Sequence, residues 1–90
     1  MNKNDLIDAV AERTSLAKSD AARAVEAVLS AVTEALQKGE AVTISGFGAF
    51  ATKSRAARTG RNPRTGEPIA IPASRVPGFK AGKGLKDAVN

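Results

Sequence analysis

Four groups of residues in this chain have types and spacings that chemistry could use. Asp5, Asp8 and Glu12 recur at intervals of three and four, which sets three carboxylates on one helical face and would suit the hard metal ion of a metal-dependent nuclease. The same acids are favourable charges at the positive start of a solvated helix, and that reading is the more economical. Gly46-Phe47-Gly48-Ala49-Phe50-Ala51 satisfies the G-x-G-x-x-G/A pattern of a dinucleotide site, but such a site needs a helix after its glycines. A strand and an arginine-rich segment follow instead. Gly78-Phe79-Lys80-Ala81-Gly82-Lys83-Gly84 resembles a phosphate loop, yet it has one residue too few between its glycines and no Ser or Thr after the lysine.

The fourth group is cationic. Lys53, Arg55, Arg58, Arg61 and Arg64 stand in one stretch, with Arg75 where the chain returns and only Glu67 opposing them. Arginine keeps its charge at any physiological pH, and its planar donors suit phosphates or a narrow minor groove. A solvated basic loop is the bland alternative. The punctuation of this stretch by Gly60, Asn62, Pro63 and Gly66, and the alternation of Ile69 with Ile71 after it, favour an extended hairpin that binds a nucleic acid. Pro63 at the tip is either a turn former or an apolar wedge that enters a base stack, and the residue types allow both.

Composition narrows the choice of partner. The 90 residues carry a formal net charge of +5, with a pI near 10.1, which favours a polyanion. Residues 1–50 hold five basic against seven acidic groups, whereas residues 51–90 hold nine against two. The first half reads as scaffold and the second as the binding surface. With no cysteine and no histidine, thiolate sites, disulfides and the commonest acid-base and metal-ligating side chain are missing, so the chain is expected to be no enzyme and to need no cofactor or metal. The amino-terminal residues lack the apolar run of a signal peptide, and no stretch is long and apolar enough for a bilayer, so a cytoplasmic protein without a membrane partner is expected.

Four kinds of element must position the cations. Asn2 or Asn4 caps a first helix over about residues 3–13, in which Leu6, Ile7 and Val10 share a face. A second helix begins near Lys18, with Ser15 or Ser19 as its cap, and stops at Gly39. Val25, Val28, Leu29, Val32 and Leu36 give it a broad apolar face. Val42, Thr43 and Ile44 form a short strand, and a turn at Gly46–Gly48 follows. Phe47 and Phe50 should return to the core; stacking on unpaired bases is the costlier use of two of only three aromatic residues.

From Thr52 to Glu67 nothing apolar but Pro63 is larger than alanine, so that stretch cannot bury itself. It reads as an arm over residues 53–75, tipped by Pro63, and the ten residue steps from Lys53 to Pro63 span roughly 33 Å at strand rise. Ser74 to Lys80 returns as a strand, and Lys83 to Val89 forms a last helix. The whole is one α+β domain, with a helical part over about 1–39, sheet and arm over about 40–81, and a terminal helix over about 83–90. Setting the arm aside leaves 67 residues, a size at which only roughly 60% of the unfolded surface is buried. That favours a dimer whose subunits complete one another's core over a second helix packed only on its own sheet.

Gly46-Phe47-Gly48-Ala49-Phe50, followed by Arg55, Arg58, Gly60, Arg61, Asn62, Pro63 and Thr65, closely resembles the signature of the HU and integration host factor family. The resemblance runs from Asn2-Lys3-Asn4-Asp5-Leu6-Ile7 to Gly84-Leu85-Lys86-Asp87-Ala88-Val89, essentially end to end. That family is itself a standard case of minor-groove architectural binding. The resemblance implies an intertwined dimer, with a helical base, a small antiparallel sheet, and β-ribbon arms that enter the minor groove. It makes Pro63 the intercalating wedge, places Arg55, Arg58, Arg61 and Asn62 along the arm, and nominates Lys3, Lys83 and Lys86 to hold flanking DNA. Lys53, Arg64 and Arg75 rank lower.

The function it implies is binding of double-stranded DNA with little sequence specificity, including bent, nicked or junction DNA, and bending that compacts the bacterial nucleoid. A subunit with site preference, like integration host factor, and an RNA-binding module are the alternatives. A homodimer is expected, and a heterodimer with a related subunit is compatible with the same residues.

Overall fold

Asn2 begins the first helix, as one of its two candidate caps. In the computed structural model, which describes residues 1–90, its side chain accepts a hydrogen bond from the Asp5 N–H at 2.9 Å. The Asp5 carboxylate in turn accepts from the Asn2 N–H at 3.1 Å. This reciprocal capping box satisfies two donors that a helix start leaves open. The helix, α1 (Lys3–Thr14), ends at Ser15, whose left-handed backbone (φ 59°, ψ 21°) turns the chain. Helix α2 (Lys18–Gln37) opens with the Ala21 N–H donating to the Ala17 carbonyl at 2.9 Å. The expected serine cap is therefore corrected. Ser15 is consumed in closing α1, Ser19 lies inside α2, and Ala17 takes the capping position.

The chain divides into two compact units, Met1–Ala35 and Leu36–Asn90. In the first, Ile7, Ala21 and Val25 are buried, flanked by Val10, Ala11 and Ala22. Ala21 is completely enclosed. Burying a full aliphatic side chain stabilises by about 1.5–3 kcal/mol, so a core of this size is modest. The rest of the apolar face of α2 is not used up: Val28 is 60% exposed and Leu29 46%.

The second unit starts with the end of α2, where Gly39 takes the left-handed conformation (φ 79°) and its N–H bonds the Leu36 carbonyl at 3.1 Å. Strands β1 (Val42–Ile44), β2 (Gly48–Arg55) and β5 (Ser74–Ala81) form an antiparallel sheet in the order β1-β2-β5. The β2–β5 register runs unbroken from Gly48 opposite Ala81 to Arg55 opposite Ser74. Strands β3 (Arg58–Arg61) and β4 (Pro68–Ile71) form a separate two-stranded ladder. The interruption falls at residues 56–57 and 72–73, where Pro72 brings no N–H to the ladder. The expected single ribbon is thus two ribbons in series.

Helix α3 (Lys83–Val89) closes the chain, and the two glycine motifs that resembled enzyme loops meet at its start. The Gly82 N–H donates to the Phe47 carbonyl at 2.8 Å. A β-carbon on Gly84 would lie 2.5 Å from the Gly46 carbonyl oxygen, so glycine there permits a backbone contact that no side chain would. These glycines serve packing of the turn against α3.

The three aromatic rings cluster, with Phe79 4.7 Å from Phe50 and 5.5 Å from Phe47, in tilted arrangements. Phe47 and Phe79 are nevertheless each 44% exposed. The expectation of a buried aromatic anchor therefore fails for Phe47 within one chain; of this unit only Gly48 is buried. Val89, at the end of α3, is likewise exposed.

Candidate nucleic-acid interface

Strand alternation and register decide where each cation lies. Opposed residues of an antiparallel pair share a face and neighbours along a strand alternate. One face of the β2–β5 ribbon therefore carries Ala49, Ala51, Lys53 and Arg55 with Lys80, Gly78, Val76 and Ser74 opposite. This face forms a shallow groove with a floor of small residues and a rim of Lys53, Arg55 and Lys80. The other face carries Phe50, Phe79, Thr52 and Pro77, and also Ser54 and Arg75. Lys80 was not among the sequence-derived site residues. Only the register, which sets it beside Ala49, reveals that it shares the face of Lys53 and Arg55.

The outer ribbon divides its arginines. Arg58 shares a face with Gly60, Ile69 and Ile71, whereas Arg61 shares the opposite one with Thr59, Pro68 and Ala70. Gly60, read from sequence as a tip marker, is instead a strand residue paired with Ile69. A β-carbon there would lie 2.9 Å from the end of Ile71, so glycine makes room for that side chain. The true tip is residues 62–66, and Asn62 organises it. The Asn62 N–H donates to the Glu67 carbonyl at 2.8 Å, its carbonyl accepts from Gly66 at 2.7 Å, and its side chain accepts from the Arg64 N–H at 2.8 Å. Pro63 is exposed at the apex, free of any core contact.

Charge pairing separates the two units. Lys3 pairs with Glu26, Lys18 with Asp8 at 3.2 Å and Arg23 with Asp20 at 3.8 Å, all among residues 1–35. None of the nine basic residues after position 51 forms an ion pair, and all nine are exposed. Lys83 and Lys86 lie on α3 with their ammonium groups unpaired, whereas Lys3 is already partnered. Arg75 is also engaged, its Nη2 donating to the Gln37 carbonyl at 2.8 Å. Two of the acids of the nuclease alternative have other partners: Asp5 caps α1 and Asp8 pairs with Lys18, and no group of acids is placed to hold a metal ion.

A two-stranded cationic arm that buries nothing, rising from a small sheet, defines a polyanion-gripping protein of the β-ribbon class. The chain belongs to the bacterial DNA-binding protein family, whose model matches residues 1–90. It is 60% identical to the DNA-binding protein HU-beta of Pseudomonas aeruginosa over 90 residues, the full length of both. It is 61% identical to the DNA-binding protein HU of Geobacillus stearothermophilus over 89 residues, 99% of each chain. Among solved structures, an Anabaena HU–DNA cocrystal structure superposes with a TM-score of 0.89 at 48% identity, covering 99% of this chain and 97% of that one. HU from Thermotoga maritima, as the V42I mutant, gives 0.74 at 37% identity over the whole of both chains. The α+β architecture with a β-ribbon arm is that of this family. No helix is long and apolar enough to cross a membrane.

Proposed function

We propose that this chain is a non-catalytic architectural protein that binds double-stranded DNA with little sequence preference, bends it, and organises the nucleoid in the cytoplasm. The observation that carries this reading is the set of eight exposed cations, Arg75 aside, that have no protein partner and are concentrated on and below an arm with no core of its own. A cation without a protein partner is free to displace counterions from phosphate, and binding of that kind is insensitive to sequence. The likeness to a chain solved on DNA adds a second, independent support.

In this proposal Arg55, Arg58 and Arg61 follow the minor groove, Lys53, Arg64 and Lys80 add phosphate contacts, and Lys83 and Lys86, with Lys3, hold flanking duplex. Asn62 sets the tip geometry and Pro63 is the wedge. The chain acts as one functional domain and as a dimer, preferentially of two identical copies. Each unit leaves apolar side chains exposed for such a partner to cover, Val28 and Leu29 in the first and Phe47 and Phe79 in the second.

Pro63→Ala tests the wedge, because it removes no charge. Affinity for linear duplex should fall by no more than about threefold, since charge dominates association. Energy transfer between dyes on the two duplex ends should fall markedly as the DNA straightens. Unchanged transfer would leave Pro63 as a turn residue only. Equal affinity for A-form duplex RNA would favour the RNA-binding reading.

A further inference from the structure

We infer that Arg75 is a positioning residue that anchors the root of the arm to the carboxyl end of α2, rather than a contact to phosphate. The inference rests on the proposed bending function. Three observations carry it. Arg75 pairs with Ser54 and so projects on the face of the β2–β5 ribbon that bears Phe50 and Phe79, opposite the face of Lys53, Arg55 and Lys80. Its Nη2 donates to the Gln37 carbonyl at 2.8 Å across 38 residues of sequence, and Nη1 lies beside Gly39, 3.7 Å from where a β-carbon would stand. Finally, the last turn of α2 holds no basic residue of its own.

The end of a helix presents carbonyl groups without intrahelical donors and carries partial negative charge. A guanidinium there satisfies both, and its rigid fork fixes direction as well as charge. Arg75 lies one residue from the last rung of the sheet, where Arg55 opposes Ser74, and just beyond it the ladder is interrupted. The anchor therefore holds the arm where its own hydrogen bonding stops. From Arg55 to Pro63 is roughly 26 Å at strand rise, so a rotation of about 10° at the root moves the tip by about 5 Å. That exceeds the spacing of one base step, about 3.4 Å. Fixing the root thereby fixes which step the tip meets.

The experiment compares wild type, Arg75→Gln, and Arg75→Gln combined with Gln37→Arg, all as full chains. Gln37→Arg returns a cation to the end of α2 without tying the arm to it. For Arg75→Gln, the slope of log affinity against log salt should be unchanged and end-to-end energy transfer on bound duplex should fall. In the DNA-free protein, amide exchange at Ser54 to Ala57 and at Ser74 to Val76 should accelerate by about tenfold. The double variant should regain melting temperature but neither the exchange protection nor the transfer.

A slope shallower by about 1.8 per dimer, with exchange unaltered, would make Arg75 a phosphate contact and overturn the anchor. Recovery of all three readouts in the double variant would also overturn it, reducing Arg75 to a stabiliser of α2. If wild type does not bend DNA at all, the proposed function fails, while exchange in the free protein still decides the anchor.

Discussion

In the helical unit three ion pairs are made, and Ile7, Ala21 and Val25 are shielded from water. Between Arg55 and Ser74 no residue is buried and no cation is paired. The contrast shows how one short chain divides two tasks. Half or more of the charges of the helical unit are paired within it, and those of the arm are left bare for a partner of opposite charge. An arm built this way gains little by folding alone, because a two-stranded ribbon without a packed face is marginal in water.

The severest test of this division is to remove the arm's charge. Replacing Arg55, Arg58 and Arg61 together with alanine should lower affinity for every duplex by about 10³-fold and flatten the salt slope by about 5 per dimer. The melting transition should move by less than about 0.5 kcal/mol, as expected where nothing buried is touched. Band-shift titrations at several salt concentrations, with calorimetry alongside, check both halves. A large loss of stability would show the arm to be part of the scaffold. The converse break is Ile7→Ala, which should cost about 3 kcal/mol by leaving a cavity between α1 and α2. Protein that remains folded should bind with an unaltered salt slope. A change in that slope would mean that the two regions are not separable.

The same contrast explains what was legible in the residues. Local rules suffice where one segment decides its own state. The Asn2 start of α1, the long alanine-rich α2, the strand at Val42–Ile44, the tip at Pro63 and the last helix from Lys83 are all read correctly. The misreadings arise where two segments compete or meet. Ser15 is a good cap in isolation, but the end of α1 claims it. Gly60 looks like turn punctuation until Ile71 is laid across it. Lys80 joins the basic face through the β2–β5 register, and Arg75 finds Gln37 across the fold. A pattern of periods and propensities contains neither pairing. The half-exposed rings of Phe47 and Phe79 have a related cause, since sequence shows that a side chain is apolar and not which chain covers it.

The gentlest probe lies in the helical unit, at the start of α1. Asn2→Ala removes the bond from the Asn2 side chain to the Asp5 N–H and leaves the returning bond, which uses the backbone N–H of residue 2. Loss of a side-chain cap costs about 1 kcal/mol, which for a domain of this size lowers the melting temperature by about 4–8 °C at fixed protein concentration. Asp5→Ala should cost a similar amount, because it removes the other bond together with a favourable charge in the first turn of α1. The double variant should cost less than the sum, since the two bonds share one backbone geometry and neither holds it well alone. Through all three variants the salt slope of DNA binding should stay constant. A slope that changed with Asp5→Ala alone would show that the acids of the helical unit shape the field met by DNA, and would move the electrostatic boundary from near residue 51 to the first turn of the chain.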